Sequence, residues 1–127
     1  MVIEVKNKDV FIPKYNGNDK LPDSEQIKVF HRFLLPGERK KYIYTKPMIL
    51  DKMTGKLNPS VDFVQDEKGI AQAIITGFEN LKISIDGKEL EIKTVDEIYT
   101  HDVPSTLVAE IESHMLFVSP EVDRDFL

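Results

Sequence analysis

The chain contains no cysteine and no tryptophan in 127 residues. Without cysteine there is no disulfide framework, no thiol nucleophile and no thiolate ligand for a metal or cluster, and most redox chemistry goes with them. Long apolar runs are missing as well. The apolar stretches are a few residues long, whereas a membrane-spanning helix needs about 20. The opening MVIEVKNKDV mixes acid and base where a secretory signal would be apolar. The expectation is a cytoplasmic protein with no membrane partner.

Catalytic and cofactor signatures are scarce too. His31, His101 and His114 are too scattered in sequence for a metal-ligand spacing. Asp51 to Asp62 has the length of a calcium loop but places Met53 and Gly55 where ligands are needed. Thr54-Gly55-Lys56 lacks the preceding glycine and the strand-to-helix context of a phosphate loop. Paired carboxylates such as Asp96-Glu97 and Asp123/Asp125 sit in polar surroundings that would not raise a pKa for acid–base work. His101-Asp102 reads as a turn, with Asp102 capping the helix that opens at Pro104, because adjacent side chains on most backbones point apart. No catalytic residue, metal site or cofactor is expected.

What is present is an ordinary soluble composition, 41% apolar and 31% charged. A chain of this length forms one domain that buries roughly two-thirds of the surface its unfolded form exposes. Its charge is unevenly laid out. Residues 1–57 hold 12 basic and 7 acidic side chains, +5, and residues 58–127 hold 5 and 15, −10. Either folding mixes these into ordinary solvated surface, or it keeps them apart and steers an oppositely patterned partner. Phe30, Tyr42 and Tyr44 near Arg39, Lys40 and Lys41 are the combination that stacks single-stranded nucleic acid, but a pI near 5.2 opposes that reading. No nucleic-acid partner is expected.

Local patterns give an α+β order: N-terminal β-strands, a central amphipathic helix, a β-hairpin and C-terminal helices. Val2, Ile3 and Val5, then Val10, Phe11 and Ile12, form two β-rich runs, the second closed by Pro13. Lys14 to Ser24 is a Gly/Asn/Asp/Pro-rich loop. From Gln26 the chain alternates, with Ile27, Val29, His31 and Phe33 on one face and Lys28, Phe30, Arg32 and Leu34 on the other. Pro36 opens a helix through GERKKYIYT, and PMILDKMTGKL reads as a projecting hairpin. Phe63, Ile70, Ile74 and Phe78 form one helical stripe, with Asp62 or Asp66 at its start and Gly77 or Asn80 at its end. Asp86-Gly87 between Leu81, Ile83, Ile85 and Leu90, Ile92 predicts a two-residue hairpin turn. Thr94-x-x-Glu97 is a capping box, and Leu107, Val108, Ile111, Met115 and Val118 keep helical spacing up to Ser119-Pro120. Residues 119–127 read as an acidic tail.

This layout resembles the small tail-assembly chaperones and related tail proteins of siphophages and myophages, including those of prophages. The likeness rests on the strand–loop–strand FIPKYNGNDKLPDSEQIKV, the helix start in FLLPGERKKYIY, the helix and Asp-Gly hairpin of AIITGFENLKISIDGKEL, and the paired short helices of TVDEIYTHDVPSTLVAEIESHM. It implies a non-enzymatic protein of the bacterial host cytoplasm that binds the tail-tube or tape-measure protein during virion morphogenesis and self-associates as a homo-oligomer. The alternatives are a head–tail joining or tail-completion protein kept in the virion, and a small enzyme or regulator with a site built from loops 14–24 and 45–60. For protein binding, the candidates are the basic Lys28, Arg32, Arg39, Lys40 and Lys41 with the apolar Phe30, Tyr42, Tyr44, Met48 and Ile49. The apolar five could equally complete the core.

Overall fold

The computed structural model describes residues 1–45 and 63–118. In chain order its elements are β1 (Lys8–Phe11), a 3-10 turn (Tyr15–Lys20), β2 (Lys28–Arg32), α1 (Pro36–Tyr42), β3 (Ile43–Thr45), β4 (Phe63–Gln65), α2 (Glu67–Ile74), β5 (Ile75–Glu79), β6 (Lys82–Ile85), β7 (Lys88–Glu91), α3 (Glu97–Thr100) and α4 (Ser105–Phe117). The fold is α+β. Contacts gather into two compact units, Leu35–Asp66 and a larger one made of Met1–Leu34 with Glu67–Leu127.

The larger unit is organised by an antiparallel sheet of order β1-β2-β5. The predicted alternation places Val29 and His31 of β2 inward, at 0% and 2% exposure. The turn before β2 is pinned by Asn18, whose amide nitrogen donates to the carbonyls of Pro13 (2.8 Å) and Ile27 (3.1 Å) while its oxygen accepts the Ile27 N–H at 2.6 Å. Segment 14–24 is therefore more ordered than a plain loop, because one buried amide satisfies three backbone groups that would otherwise lack partners. Asn80, in the left-handed region at φ 61°, ties the end of β5 to the same segment by donating to the carbonyls of Ser24 and Gln26, both at 2.9 Å.

The central helix is shorter than the apolar stripe predicts. Phe63 belongs to β4, the helix covers Glu67–Ile74, and the chain passes directly into β5, so Gly77 and Asn80 do not stop it. The β-branched run Ile74-Ile75-Thr76 followed by Gly77 weakens helix propensity, and pairing with β2 supplies the hydrogen bonds the helix gives up. Ile70, Ile74 and Phe78 are nonetheless buried, the last from a strand. Helix α2 packs along α4, which contributes Leu107, Ile111 and Met115 to the same core. The first N-terminal run also departs from expectation: Val5 forms a lone bridge, and Met1, Val2, Ile3 and Val5 are exposed.

The β6–β7 hairpin forms as predicted, with Asp86 at φ 52° and Gly87 at φ 79°, and the Ile92 N–H closes it on the Leu81 carbonyl at 2.7 Å. Glu97 supplies the return half of the predicted capping box by accepting from the Thr94 N–H at 3.1 Å and the Thr94 hydroxyl at 2.9 Å. Asp102 does not cap α4; the N-cap residue is Pro104, with no side-chain cap bond. In the smaller unit, Pro36 opens α1, Glu38 accepts from the Leu35 N–H at 3.0 Å, and β3 pairs antiparallel with β4. The predicted hairpin at 47–57, the Asp62 cap and the 119–127 tail lie outside the described residues.

Replacing Ile74, fully buried, with alanine is expected to cost about 2–5 kcal/mol in denaturant unfolding. Gly87→Val forces a β-branched side chain into the left-handed region and is expected to cost about 1–3 kcal/mol. An unchanged midpoint in either variant would contradict the corresponding packing or turn.

Candidate functional site

The face of the β1–β2 pair that carries His31 gathers most of the titratable side chains with unusual surroundings. In the antiparallel register Asp9 stands opposite His31, and along β1 Asp9 and Phe11 are less exposed than Lys8 and Val10. From the other side, α4 brings His114. Its ring stacks on Phe11 with centroids 3.8 Å apart and planes at 11°, and meets His31 edge-on at 5.9 Å. Phe33 closes the cluster edge-on to His31 at 5.4 Å.

Hydrogen bonding fixes the state of His31. A carbonyl only accepts, so the Nδ1 contact with the Arg32 carbonyl at 2.9 Å makes Nδ1 the protonated nitrogen. Nε2 is buried with no partner among the described residues. Burial pushes the His114 imidazole below its ordinary pKa, as does neighbouring His31, against the pull of Asp9 and Glu110. Both acids are already engaged. Glu110 accepts the Lys14 N–H at 2.6 Å. Asp9 accepts from the Val10 N–H at 2.8 Å and from the Lys6 ammonium at 3.3 Å. For Asp9 burial acts upward, but those two hydrogen bonds, with the charge attraction of Lys6 and His31, outweigh it and hold the carboxyl below the usual range.

Two open grooves flank the pair. One, of about 490 Å³, is lined by Phe11, Glu110, Ser113, His114, Phe117 and Val118. The other, of about 480 Å³, is lined by residues that include Lys6, Lys8, Val10, Phe30 and His31. Among the described residues no group of three histidines or acids is arranged to hold a metal ion, and no helix is long and apolar enough to cross a membrane.

The residues predicted for protein binding fall in both units. Phe30 and Arg32 are half-buried on β2, where Arg32 donates to the Phe33 carbonyl at 3.0 Å. Lys28 pairs with Asp23 at 2.9 Å and stands opposite Glu79 across the sheet. Arg39, Lys40 and Lys41 form the last turn of α1, where cations suit the negative end of the helix dipole. Lys40 and Lys41 are exposed, Arg39 and Tyr42 half-buried, and Tyr44 is 44% exposed on β3. Met48 and Ile49 lie outside the described residues.

Sequence reasoning missed two features. The histidine pair was detectable, since His31 falls in the apolar phase of its strand and His114 follows Leu107 by two helical turns. The exposed apolar N-terminus, with Met1, Val2, Ile3 and Val5 all more than half accessible, looks like strand in sequence and shows its exposure only in three dimensions. No family model, curated protein or solved structure matches the chain.

Because the Asp9 carboxyl is held down in the folded state, its contribution to stability is present above its unfolded pKa of about 3.9 and is lost as the pH falls through the lower folded value. Asp9→Asn is expected to be less stable than the parent at pH 6, with the two converging below about pH 3. A constant difference across that range in urea titrations would contradict the hydrogen-bonded carboxylate.

Proposed function

We propose that the chain is a non-enzymatic protein-binding component of phage tail assembly, engaging the tail-tube or tape-measure protein while the virion is built. The phage setting is supported by the resemblance of its strand–loop–strand, Pro-Gly-Glu-Arg helix, Asp-Gly hairpin and terminal helices to small tail proteins. The observation that carries a binding role is the N-terminal segment, where Met1, Val2, Ile3 and Val5 hold their apolar side chains at the surface. Concentrated exposed apolar surface of this kind marks interaction sites in soluble proteins. An extended apolar segment of this kind suits a sheet edge or groove on a partner. Beside it lie Lys6 and Lys8, and charges at the rim set encounter rate and register more than affinity.

The test is co-expression with the tail-tube and tape-measure proteins encoded in the same gene cluster, followed by affinity capture and titration. Val2→Asp and Ile3→Asp change side chains 70% and 61% exposed and should leave the fold intact. Burying one such side chain in an interface is worth about 1.5–3 kcal/mol, so each is expected to weaken binding at least about tenfold. Arg39→Glu/Lys41→Glu is expected to slow association at low salt with little change in dissociation. Capture of neither tail protein would overturn the reading. Stoichiometric recovery in purified particles would move it from assembly factor to virion component.

A further inference from the structure

We propose that His114, packed on Phe11 and His31, forms a proton-operated latch that holds the C-terminal half of α4 against β1 and β2, closed while its ring is neutral and released when it takes a proton. The inference stands apart from the tail-assembly reading and rests on the arrangement of the pair. His31 spends its only N–H on the Arg32 carbonyl at 2.9 Å, and its Nε2 is buried without a partner among the described residues. His114 joins α4 to the sheet through its ring, stacked on Phe11 at 3.8 Å and edge-on to His31 at 5.9 Å. A charge on both rings at that separation is repulsive.

Of the groups facing the pair, Asp9 and Glu110 favour the protonated His114 ring, but burial and His31 outweigh them. From β1, Asp9 already holds the Val10 N–H and the Lys6 ammonium, with Lys8 adding positive charge to the groove that His31 lines. From α4, Glu110 is held by the Lys14 N–H. Burial of His114 opposes both acids by favouring its neutral form. A histidine whose folded pKa is depressed contributes stability that is complete above its unfolded value, about 6.5, and is lost as the pH falls below it toward the folded value. The latch is therefore closed at neutral pH and weakens in mild acid. Because Phe11 carries the His114 ring and lines the same groove, release uncovers the Phe11 face on which that ring is stacked.

Hydrogen exchange by mass spectrometry on the full chain, corrected for intrinsic rates, tests this at pH 7.5 and 5.5. Peptides from α4 and β1 are expected to lose protection at the lower pH beyond the change in intrinsic rate. His114→Phe keeps a ring for Phe11 and is expected to abolish the loss; should that variant fail to fold, His114→Gln serves. In the parent, NMR titration of the His114 ring is expected to lie below that of free histidine. Protection unchanged between the two pH values, an equal loss in the His114 variant, or a His114 titration at or above the free value would each overturn the latch.

Discussion

Strand β2 is the constraint on which the larger unit depends. It alone in its sheet has partners on both sides, β1 from the N-terminal segment and β5 from the second half of the chain. Its register decides which side chains enter the core, because a one-residue slip would turn Val29 and His31 out and Phe30 and Arg32 in. Asn18 fixes that register from one end by clamping the Ile27 backbone in both directions. From the other side Asn80 holds the Gln26 carbonyl at 2.9 Å. Two buried or half-buried amides thus satisfy backbone groups around a single strand start, and neither carries a net charge that burial would penalise.

The same strand redistributes the charge asymmetry. Read along the chain, basic residues precede acidic ones, but the sheet interleaves strands from both halves. Lys28 comes to stand across from Glu79 and meets Asp23 at 2.9 Å. Grouped by compact unit, Leu35–Asp66 has six basic and four acidic residues, +2, and the remainder carries −7. Part of the sequence dipole is therefore neutralised within the larger unit. The basic turn of α1 is left as the densest positive run, and its position at a helix C-terminus gives it a local stabilising role in any case.

Features governed by contacts a few residues apart were legible in the sequence. The Asp86-Gly87 turn, the Pro36 helix start, the Thr94–Glu97 pairing and the alternation through β2 each follow from near neighbours, and each is found where expected. Features governed by distant pairing were not. The stripe from Phe63 to Phe78 has helical spacing, yet Ile75–Glu79 has β2 as a partner, and a strand partner 44 to 51 residues away in sequence leaves no local trace. The failed Asp102 cap has a local origin instead, since Pro104 takes the N-cap position two residues later. For the candidate site, His31 falls on the apolar face predicted for its strand, but its meeting with His114 depends on the packing of α4 against β1 and β2.

The exposed N-terminus and the buried histidine pair pull in opposite directions energetically. Apolar side chains at Met1, Val2, Ile3 and Val5 forgo burial that the monomer could in principle provide, and a bare Nε2 on His31 forgoes a hydrogen bond. A fold selected for stability alone would remove both, since polar surface at the first and an apolar side chain at the second are simple substitutions. Both occur along the same stretch of β1, the first just before Lys8–Phe11 and the second across the sheet from Asp9. The Asp9 carboxylate connects them: it covers the Val10 N–H at 2.8 Å on β1 and holds Lys6 at 3.3 Å next to the apolar segment. Charge placed this way on a border strand discourages indiscriminate strand addition at β1.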